Sequence, residues 1–138
     1  MKIILDTSAA LHVALQGEHA AQLTQVLEQA TQVVSPQIVR AELGNALWKY
    51  MRWQQMPLDQ ALQHWEDASG LIDQLIDDGD LMPQAISLAA RHEHTVYDML
   101  YVAAALQQGA RLLTLDKKLR ALAAQIDPQL VADFSQAK

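Results

Sequence analysis

The chain has 138 residues, a formal net charge of −6 at pH 7 and no cysteine. These totals favour a single domain with its own core, exclude disulfides and thiolate zinc sites, and on charge alone disfavour a nucleic-acid partner. The N-terminal apolar run is too short for a signal peptide and no run approaches the roughly 18 apolar residues of a membrane span, so we expect a cytoplasmic protein.

The first half of the chain alternates predicted strands and helices. Residues 2–5 predict a buried strand, after which Thr7 and Ser8 can cap a helix that runs through residue 15. The elements that follow are a helix over 19–30, a strand over 32–34, a helix from the cap Ser35 to about residue 53, and a helix over 58–69.

The second half continues the same alternation. Residues 71–76 are ambiguous between a strand and a helix end, and we favour a strand. A turn over 77–80 precedes a helix over 81–93, in which Pro83 is tolerable only in the first turn. A buried helix over 96–108, a strand over 111–115, a helix over 117–125 and a short strand at 130–131 complete the chain. This pattern predicts an α/β domain with a parallel sheet flanked by helices.

Four acidic residues lie beside apolar segments, where an acid needs a cation or hydrogen bonds. They are Asp6 and Asp116, which follow the first and fourth strands, Glu42 in the third helix and Asp98 in the first turn of a nearly apolar helix. Simpler roles exist for three of them, namely helix caps for the two strand-end residues and a surface ion pair with Lys49 for Glu42. Asp98 is harder to explain, because the helix dipole stabilises an acid by only about 0.3–1 kcal/mol.

The carboxyl ends of parallel strands meet at one edge of a sheet, where ligands bind. If the first and fourth strands are neighbours, Asp6 and Asp116 face each other across that edge. Magnesium and manganese prefer oxygen ligands, and such ions polarise a phosphodiester and lower the pKa of an attacking water. The sequence therefore predicts a hydrolytic metal site. A bound cation would also reverse the local charge, so the net charge no longer excludes a nucleic-acid substrate.

Four segments resemble the motif regions of PIN domains, and in particular of the small prokaryotic VapC-type ribonuclease toxins. They are residues 4–9 (ILDTSA), 40–47 (RAELGNAL), 96–105 (VYDMLYVAAA) and 112–119 (LLTLDKKL). The resemblance spans residues 1 to about 123 of what we expect to be a single PIN domain over residues 1–138. It implies a three-layer α/β sandwich whose central parallel sheet has the strand order 3-2-1-4-5, and it implies metal-dependent endonucleolytic cleavage of RNA.

The resemblance also implies roles for individual residues. Asp6, Glu42, Asp98 and Asp116 would be the catalytic acids that hold Mg²⁺ or Mn²⁺. Thr114 matches a hydroxyl residue that orients a carboxylate or a water, although it could equally be an ordinary strand threonine. An RNA substrate, an antitoxin partner and a homodimer are implied in the same way.

Two other classes of function stay open at this stage. A receiver-like phosphoacceptor domain also has carboxylates at the carboxyl edge of a parallel sheet, but it usually has adjacent acids after the first strand, where Thr7 and Ser8 stand. In a non-catalytic binding module, the acids would hold a metal for structure or bind a basic partner.

Several other side chains have two interpretations each. Tyr101 either donates a hydrogen bond to a neighbouring carboxylate or is a core tyrosine with a satisfied hydroxyl group. Three cations, Lys117, Lys118 and Arg120, either guide phosphate or form a solvated helix face. Three tryptophans, Trp48, Trp53 and Trp65, either pack in the core or line a groove for a partner helix. The five histidines show no ligand spacing, so we expect surface or cap roles for them.

Overall fold

The structure is a computed structural model that describes residues 1–134. Its sheet contains β1 (Lys2–Leu5), β2 (Gln32–Pro36), β3 (Gln74–Ile76) and β4 (Arg111–Leu113). The helices are α1 (Thr7–Ala14), α2 (Ala20–Gln29), α3 (Ile38–Gln54), α4 (Leu58–Ser69), α5 (Asp78–His92), α6 (Val96–Gln108) and α7 (Lys117–Ile126). All strand pairs are parallel, in the order β3-β2-β1-β4. The predicted α/β class is thereby confirmed.

The predicted order 3-2-1-4-5 is confirmed for its first four strands, and the fifth strand needs a correction. In its place the described part of the chain has a single parallel bridge between Leu112 and Val131. A short 3₁₀ helix, Pro128–Leu130, immediately precedes this bridge and is capped by Asp127. Since the chain becomes extended only after this helix, one residue pairs with β4 where a longer strand was expected.

The central helix α6 is the main support of the fold. Every side chain from residue 99 to residue 105 is buried, and the helix packs against α5, β1 and β2. A helix that is apolar on all sides is stable only inside the core. Thr95 caps its start, and Gly109, at a φ of 59°, ends it in the left-handed region. The first turn of α6, which carries Asp98, therefore has a fixed position relative to the sheet.

The cap of α1 differs from the prediction. Asp6, rather than Thr7 or Ser8, is the N-cap and accepts a hydrogen bond from the backbone N–H of Ala9 at 3.0 Å. Because β1 ends at residue 5 and α1 begins at residue 7, only residue 6 lies between them and takes the cap position. The two hydroxyl residues belong to the first helical turn, so their side chains are available to other segments.

The prediction that Ser35 and Pro36 start a helix is wrong. Both residues extend β2 and pair with β3. Pro36 has no N–H to donate, and the buried Ser35 hydroxyl donates to the carbonyl of Leu5 at 2.6 Å across the sheet. The helix α3 begins at Ile38, whose N–H donates to Asp78 Oδ1 at 3.2 Å. The start of α3 is thus capped from another part of the chain, which local sequence does not reveal.

Smaller corrections concern the ends of other elements. Helix α5 begins three residues earlier than predicted, because Asp77 caps it through the N–H of Gly79. Pro83 therefore lies in the second turn rather than the first. The strand β4 ends at residue 113, two residues earlier than predicted. Within residues 1–134, no helix combines the length and the apolar character that crossing a lipid bilayer requires.

The hydrogen bond from Ser35 to Leu5 predicts a measurable contribution to stability. We expect Ser35→Ala to lower the free energy of unfolding by about 1–3 kcal/mol, because a buried carbonyl loses its donor. Ser69→Ala is the matched control, since Ser69 Oγ is buried with no hydrogen-bond partner among the described residues. Urea denaturation of both variants should show a loss for the first and almost none for the second. Equal losses would contradict this assignment.

Candidate active site

The site begins where β1 and β4 end side by side. Leu5 pairs with Leu113, and the N–H of Asp6 donates to the Leu113 carbonyl at 3.3 Å. The two strands are neighbours, as the sequence argument required, so Asp6 and Thr114 lie together at the carboxyl edge of the sheet. Asp116 follows two residues later, at the start of α7.

The carboxylate of Asp6 is buried and surrounded by donors. Its Oδ1 accepts hydrogen bonds from Ser8 Oγ at 2.8 Å and from the N–H of Ala9 at 3.0 Å, and its Oδ2 accepts one from Thr114 Oγ1. Burial raises the pKa of Asp6 from 3.8 to about 6, the three hydrogen bonds oppose this rise, and the nearby charge of Asp116 adds to it. Asp6 is therefore an acid whose charge is only partly compensated by the protein.

Backbone donors fix the direction of the two hydroxyl protons. The N–H of Leu115 donates to Ser8 Oγ at 3.0 Å, and the N–H of Asp116 donates to Thr114 Oγ1 at 3.0 Å. A hydroxyl group has one proton, and Ser8 and Thr114 each donate theirs to the carboxylate of Asp6. Their own oxygens lie 3.3 Å apart. Thr114 thus orients a carboxylate, as the resemblance implied, and Ser8 does the same.

Glu42 is held in a similar way by two hydroxyl groups. Its Oε1 accepts hydrogen bonds from Thr7 Oγ1 at 2.9 Å and from the Tyr101 hydroxyl at 2.5 Å. The simpler alternative, a surface ion pair with Lys49, does not form, and the half-buried Glu42 instead accepts from residues of α1 and α6. Both interpretations of Tyr101 hold at once, since its ring is buried and its hydroxyl donates to a carboxylate.

The ionisation of Tyr101 is strongly disfavoured. Burial, and then the negative charge of Glu42, raise the pKa of Tyr101 well above its usual range. The phenol stays protonated at any ordinary pH and remains a hydrogen-bond donor to Glu42.

Asp98 is half-buried. Its Oδ2 lies 3.4 Å from Nδ1 of His94, four residues earlier. Burial raises the pKa of Asp98, the His94 ring lowers it, and the charges of Asp116 and Glu42 raise it. His94 was expected to have only a surface or cap role. No helical spacing signals this contact in the sequence, because His94 precedes the N-cap Thr95 and lies outside α6.

Asp116 is exposed and is the N-cap of α7. Its Oδ1 accepts hydrogen bonds from the N–H groups of Lys118 at 3.0 Å and Leu119 at 3.1 Å. Asp6 and Asp116 are therefore both helix caps, as the simpler interpretation proposed, and both also lie at the sheet edge. The cap role does not exclude a second role, because it occupies one oxygen of Asp116 and leaves the other for a ligand.

The four predicted acids are brought to one edge of the molecule but do not form a closed set of ligands. In addition to burial, the charge of Asp116 raises the pKa of both Asp6 and Asp98, and the charge of Glu42 raises the pKa of Asp98. In this conformation, no three histidine or acidic side chains of residues 1–134 are placed to hold one ion together. The oxygens of Asp6 and Glu42 face hydroxyl donors instead.

The three cations at the start of α7 lie in different environments. Lys117 and Lys118 are exposed, whereas Arg120 forms an ion pair with Asp133 at 3.9 Å and lies over the ring of Phe134. Contact between these cations and RNA stays a prediction.

The tryptophans divide into two groups. Trp65 packs against the core and donates from Nε1 to the Arg40 carbonyl at 2.9 Å. Trp48 and Trp53 are 50% and 63% exposed, and their ring centroids lie 5.5 Å apart on the surface of α3. The core interpretation therefore holds for one tryptophan, and the other two are exposed as a partner surface would require.

Comparison with known proteins gives a family match over most of the chain. A family model described as PIN domain matches residues 3–125, a range that includes all four acids and Thr114. Ribonuclease VapC3 from Pyrobaculum aerophilum is 30% identical over 128 residues, which cover 86% of this chain and 92% of that protein. These matches favour the prediction drawn from the resemblance over the receiver-like alternative.

Two solved structures share the fold. PAE2754 from Pyrobaculum aerophilum has a TM-score of 0.72 at 22% identity and covers 88% of this chain and 79% of its own. VapBC2 from Rickettsia felis, bound to a DNA fragment from their promoter, has a TM-score of 0.65 at 16% identity and covers 96% and 98% of the two chains. At these identities the two structures support the architecture alone.

The raised pKa of Asp6 predicts a pH-dependent stability. The carboxyl titrates near 3.8 when unfolded and at about 6 when folded. The stability that its protonated form contributes is therefore complete below about pH 4 and is lost as the pH rises through about 6. We expect Asp6→Asn, in the presence of a chelator, to exceed wild type in unfolding free energy more at about pH 7.5 than at about pH 4, by on the order of 2–3 kcal/mol. Denaturant titrations at the two pH values measure this difference, and a gap that does not change with pH would contradict it.

Proposed function

Because this chain belongs to the PIN-domain family, we propose that it is a metal-dependent endoribonuclease that cleaves RNA phosphodiester bonds as the toxin of a toxin–antitoxin pair. One observation carries the proposal: the family match over residues 3–125 includes Asp6, Glu42, Asp98 and Asp116, whose charges act on one another. The similarity to Ribonuclease VapC3 also supports an RNA-cleaving hydrolase.

The chemistry of the donor set supports a hard divalent cation. All four candidate ligands, Asp6, Glu42, Asp98 and Asp116, offer carboxylate oxygens, which Mg²⁺ and Mn²⁺ prefer. Burial is the main cause of the raised pKa of Asp6 and Asp98, and repulsion between the acids adds to it. A cation would relieve that repulsion. When bound, the ion would supply Lewis-acid polarisation of the phosphodiester and a lowered pKa of the attacking water.

Within this proposal, the chain's own residues have distinct tasks. Asp6 would hold the ion through its buried carboxylate, which accepts hydrogen bonds from Ser8 in α1 and from Thr114 after β4. Thr7 and Tyr101 hold Glu42 in the same manner from α1 and α6. Asp98 and Asp116 lie nearer to solvent, so they can turn toward an ion without disturbing the core. No covalent intermediate with the protein is required.

The proposal includes a protein partner and a compartment. The structure from Rickettsia felis is described as VapBC2 bound to a DNA fragment from their promoter. By analogy we propose an antitoxin partner for this chain, in the cytoplasm. The exposed rings of Trp48 and Trp53 on α3 are in keeping with a surface that a partner covers. The homodimer implied by the resemblance stays a prediction.

The proposed metal ligands predict a loss of cleavage without a loss of fold. Asp6→Asn and Asp98→Asn should each lower RNA cleavage in Mg²⁺ by at least about 100-fold, because changes to groups that merely support ligands already cost about 10–100-fold. Mapping of RNA 5′ ends after expression of each variant, together with cleavage assays in Mg²⁺ and in chelator, measures the effect. Circular dichroism checks that the fold is retained.

Asp59→Asn is the matched control for these two variants. Asp59 is an exposed acid in the first turn of α4, away from the sheet edge, so its change should leave cleavage intact. Undiminished cleavage by Asp6→Asn or Asp98→Asn, or full activity of the wild type in chelator, would remove the proposal.

The hydroxyl group of Thr114 predicts a supporting role that can be separated from the role of the acids. Thr114→Val keeps the volume of this buried side chain but removes the donor to Asp6, so we expect about 10–100-fold slower cleavage and a higher Mg²⁺ requirement. Thr114→Ser keeps the hydroxyl group and should restore both values to near wild type. Equal activity of the valine and serine variants would show that the hydroxyl group has no part in the reaction.

A further inference from the structure

A cavity of about 460 Å³ opens beside the acidic site, between α1, α3 and the first turn of α6. Thr7 and Glu42 form the wall that it shares with the site, through the hydrogen bond already described. The rest of it is lined by the polar or aromatic side chains of Asn45, Lys49 and Tyr97 and by the apolar residues Ile38, Ala41 and Ala46. A ligand in this cavity would therefore touch a candidate metal ligand directly.

Tyr97 presents its ring to solvent at the rim of this cavity. It is 61% exposed, although it belongs to α6, where residues 99–105 are all buried. It immediately precedes Asp98, so the ring is tied to the acidic site by the rigid backbone of the first turn. An exposed aromatic ring beside a cavity is a surface on which a nucleobase can stack.

Asn45 and Lys49 add polar groups of two kinds. They follow Glu42 on α3 at spacings of three and seven residues, so they lie along one helix face with it. Lys49 is the cation among the residues that line the cavity, which matters in a chain with a net charge of −6. The amide of Asn45 can donate to and accept from the edge of a base.

We propose that this cavity binds one base of single-stranded RNA next to the phosphate that is cleaved. Tyr97 stacks on the base, Asn45 contacts its edge, and Lys49 pairs with an adjoining phosphate. A base in a duplex is already stacked and paired, so the cavity accepts an unpaired nucleotide and excludes a duplex. This inference rests on the proposed function and deepens it by assigning the side chains that hold the base beside the cleaved bond.

Binding of a labelled single-stranded RNA of mixed sequence tests the proposal. The protein is the full chain carrying Asp6→Asn, which prevents cleavage during the measurement. Tyr97→Ala should weaken binding about 5- to 150-fold, the range of one stacked base, whereas Tyr97→Phe should stay within about twofold because the ring is retained. The same RNA annealed to its complement should bind markedly more weakly.

Lys49 provides an independent measurement. Lys49→Ala should weaken RNA binding. It should also make the fall of the logarithm of the binding constant with the logarithm of salt concentration less steep by about 0.7, the contribution of one phosphate contact to a single strand. Lys49→Arg keeps the charge and should keep the slope. Trp53→Ala is the matched control for Tyr97→Ala, since Trp53 is an equally exposed aromatic residue, 63% exposed, that does not line the cavity.

The outcomes test the base-binding subsite and the proposed function separately. If binding depends on Tyr97 while the unmodified chain cleaves no RNA, the subsite stands and the proposed function fails. If the unmodified chain cleaves RNA while Tyr97→Ala leaves both binding and KM unchanged, the function stands and the subsite fails. Absent binding, duplex binding as tight as single-strand binding, or an equal loss with Trp53→Ala would also overturn the subsite.

Discussion

The buried carboxylate of Asp6 is the constraint on which the rest of the site depends. Asp6 is the single residue between β1 and α1, where it caps the helix, and it accepts hydrogen bonds from the hydroxyl groups of Ser8 and Thr114. The N–H groups of Leu115 and Asp116 donate to the same two hydroxyl oxygens, so each hydroxyl group links Asp6 to the backbone after β4. One acid thus joins β1, α1 and the turn after β4, and the position of Asp116 follows from that junction.

The hydrogen bonds around Asp6 stabilise its negative charge only in part, and this indicates a role beyond stability. Three hydrogen bonds hold the carboxylate, yet burial still raises the pKa of Asp6 to about 6. A site built only for stability would be more stable with an uncharged side chain, since a buried charge without a counter-charge is costly. Asp116 and Glu42 add further negative charge beside Asp98 rather than compensating it. The chain therefore carries an electrostatic cost at this edge that a divalent cation would offset.

Much of this architecture could be predicted from local sequence because the deciding signals are local. Short runs bounded by polar residues, residues 3–5 and 112–115, placed β1 and β4. The nearly apolar helix α6 was predicted over the same residues that form it. The acids at strand ends were visible for the same reason. Local sequence failed where the partner is distant, as at the start of α3, which Asp78 caps, and at Ser35, which donates across the sheet to Leu5.

The sequence by itself determined the fold class, the order of the first four strands through the family resemblance, and the identity of the candidate acids. Tertiary structure alone decided what each acid contacts. It turned Glu42 from a presumed surface residue into the acceptor of two hydroxyl groups, made Tyr101 both a core ring and a donor, and set His94 beside Asp98. The physical reason is that helix and strand periodicity are properties of neighbouring residues, whereas hydrogen-bond partners and electrostatic coupling depend on which elements pack together.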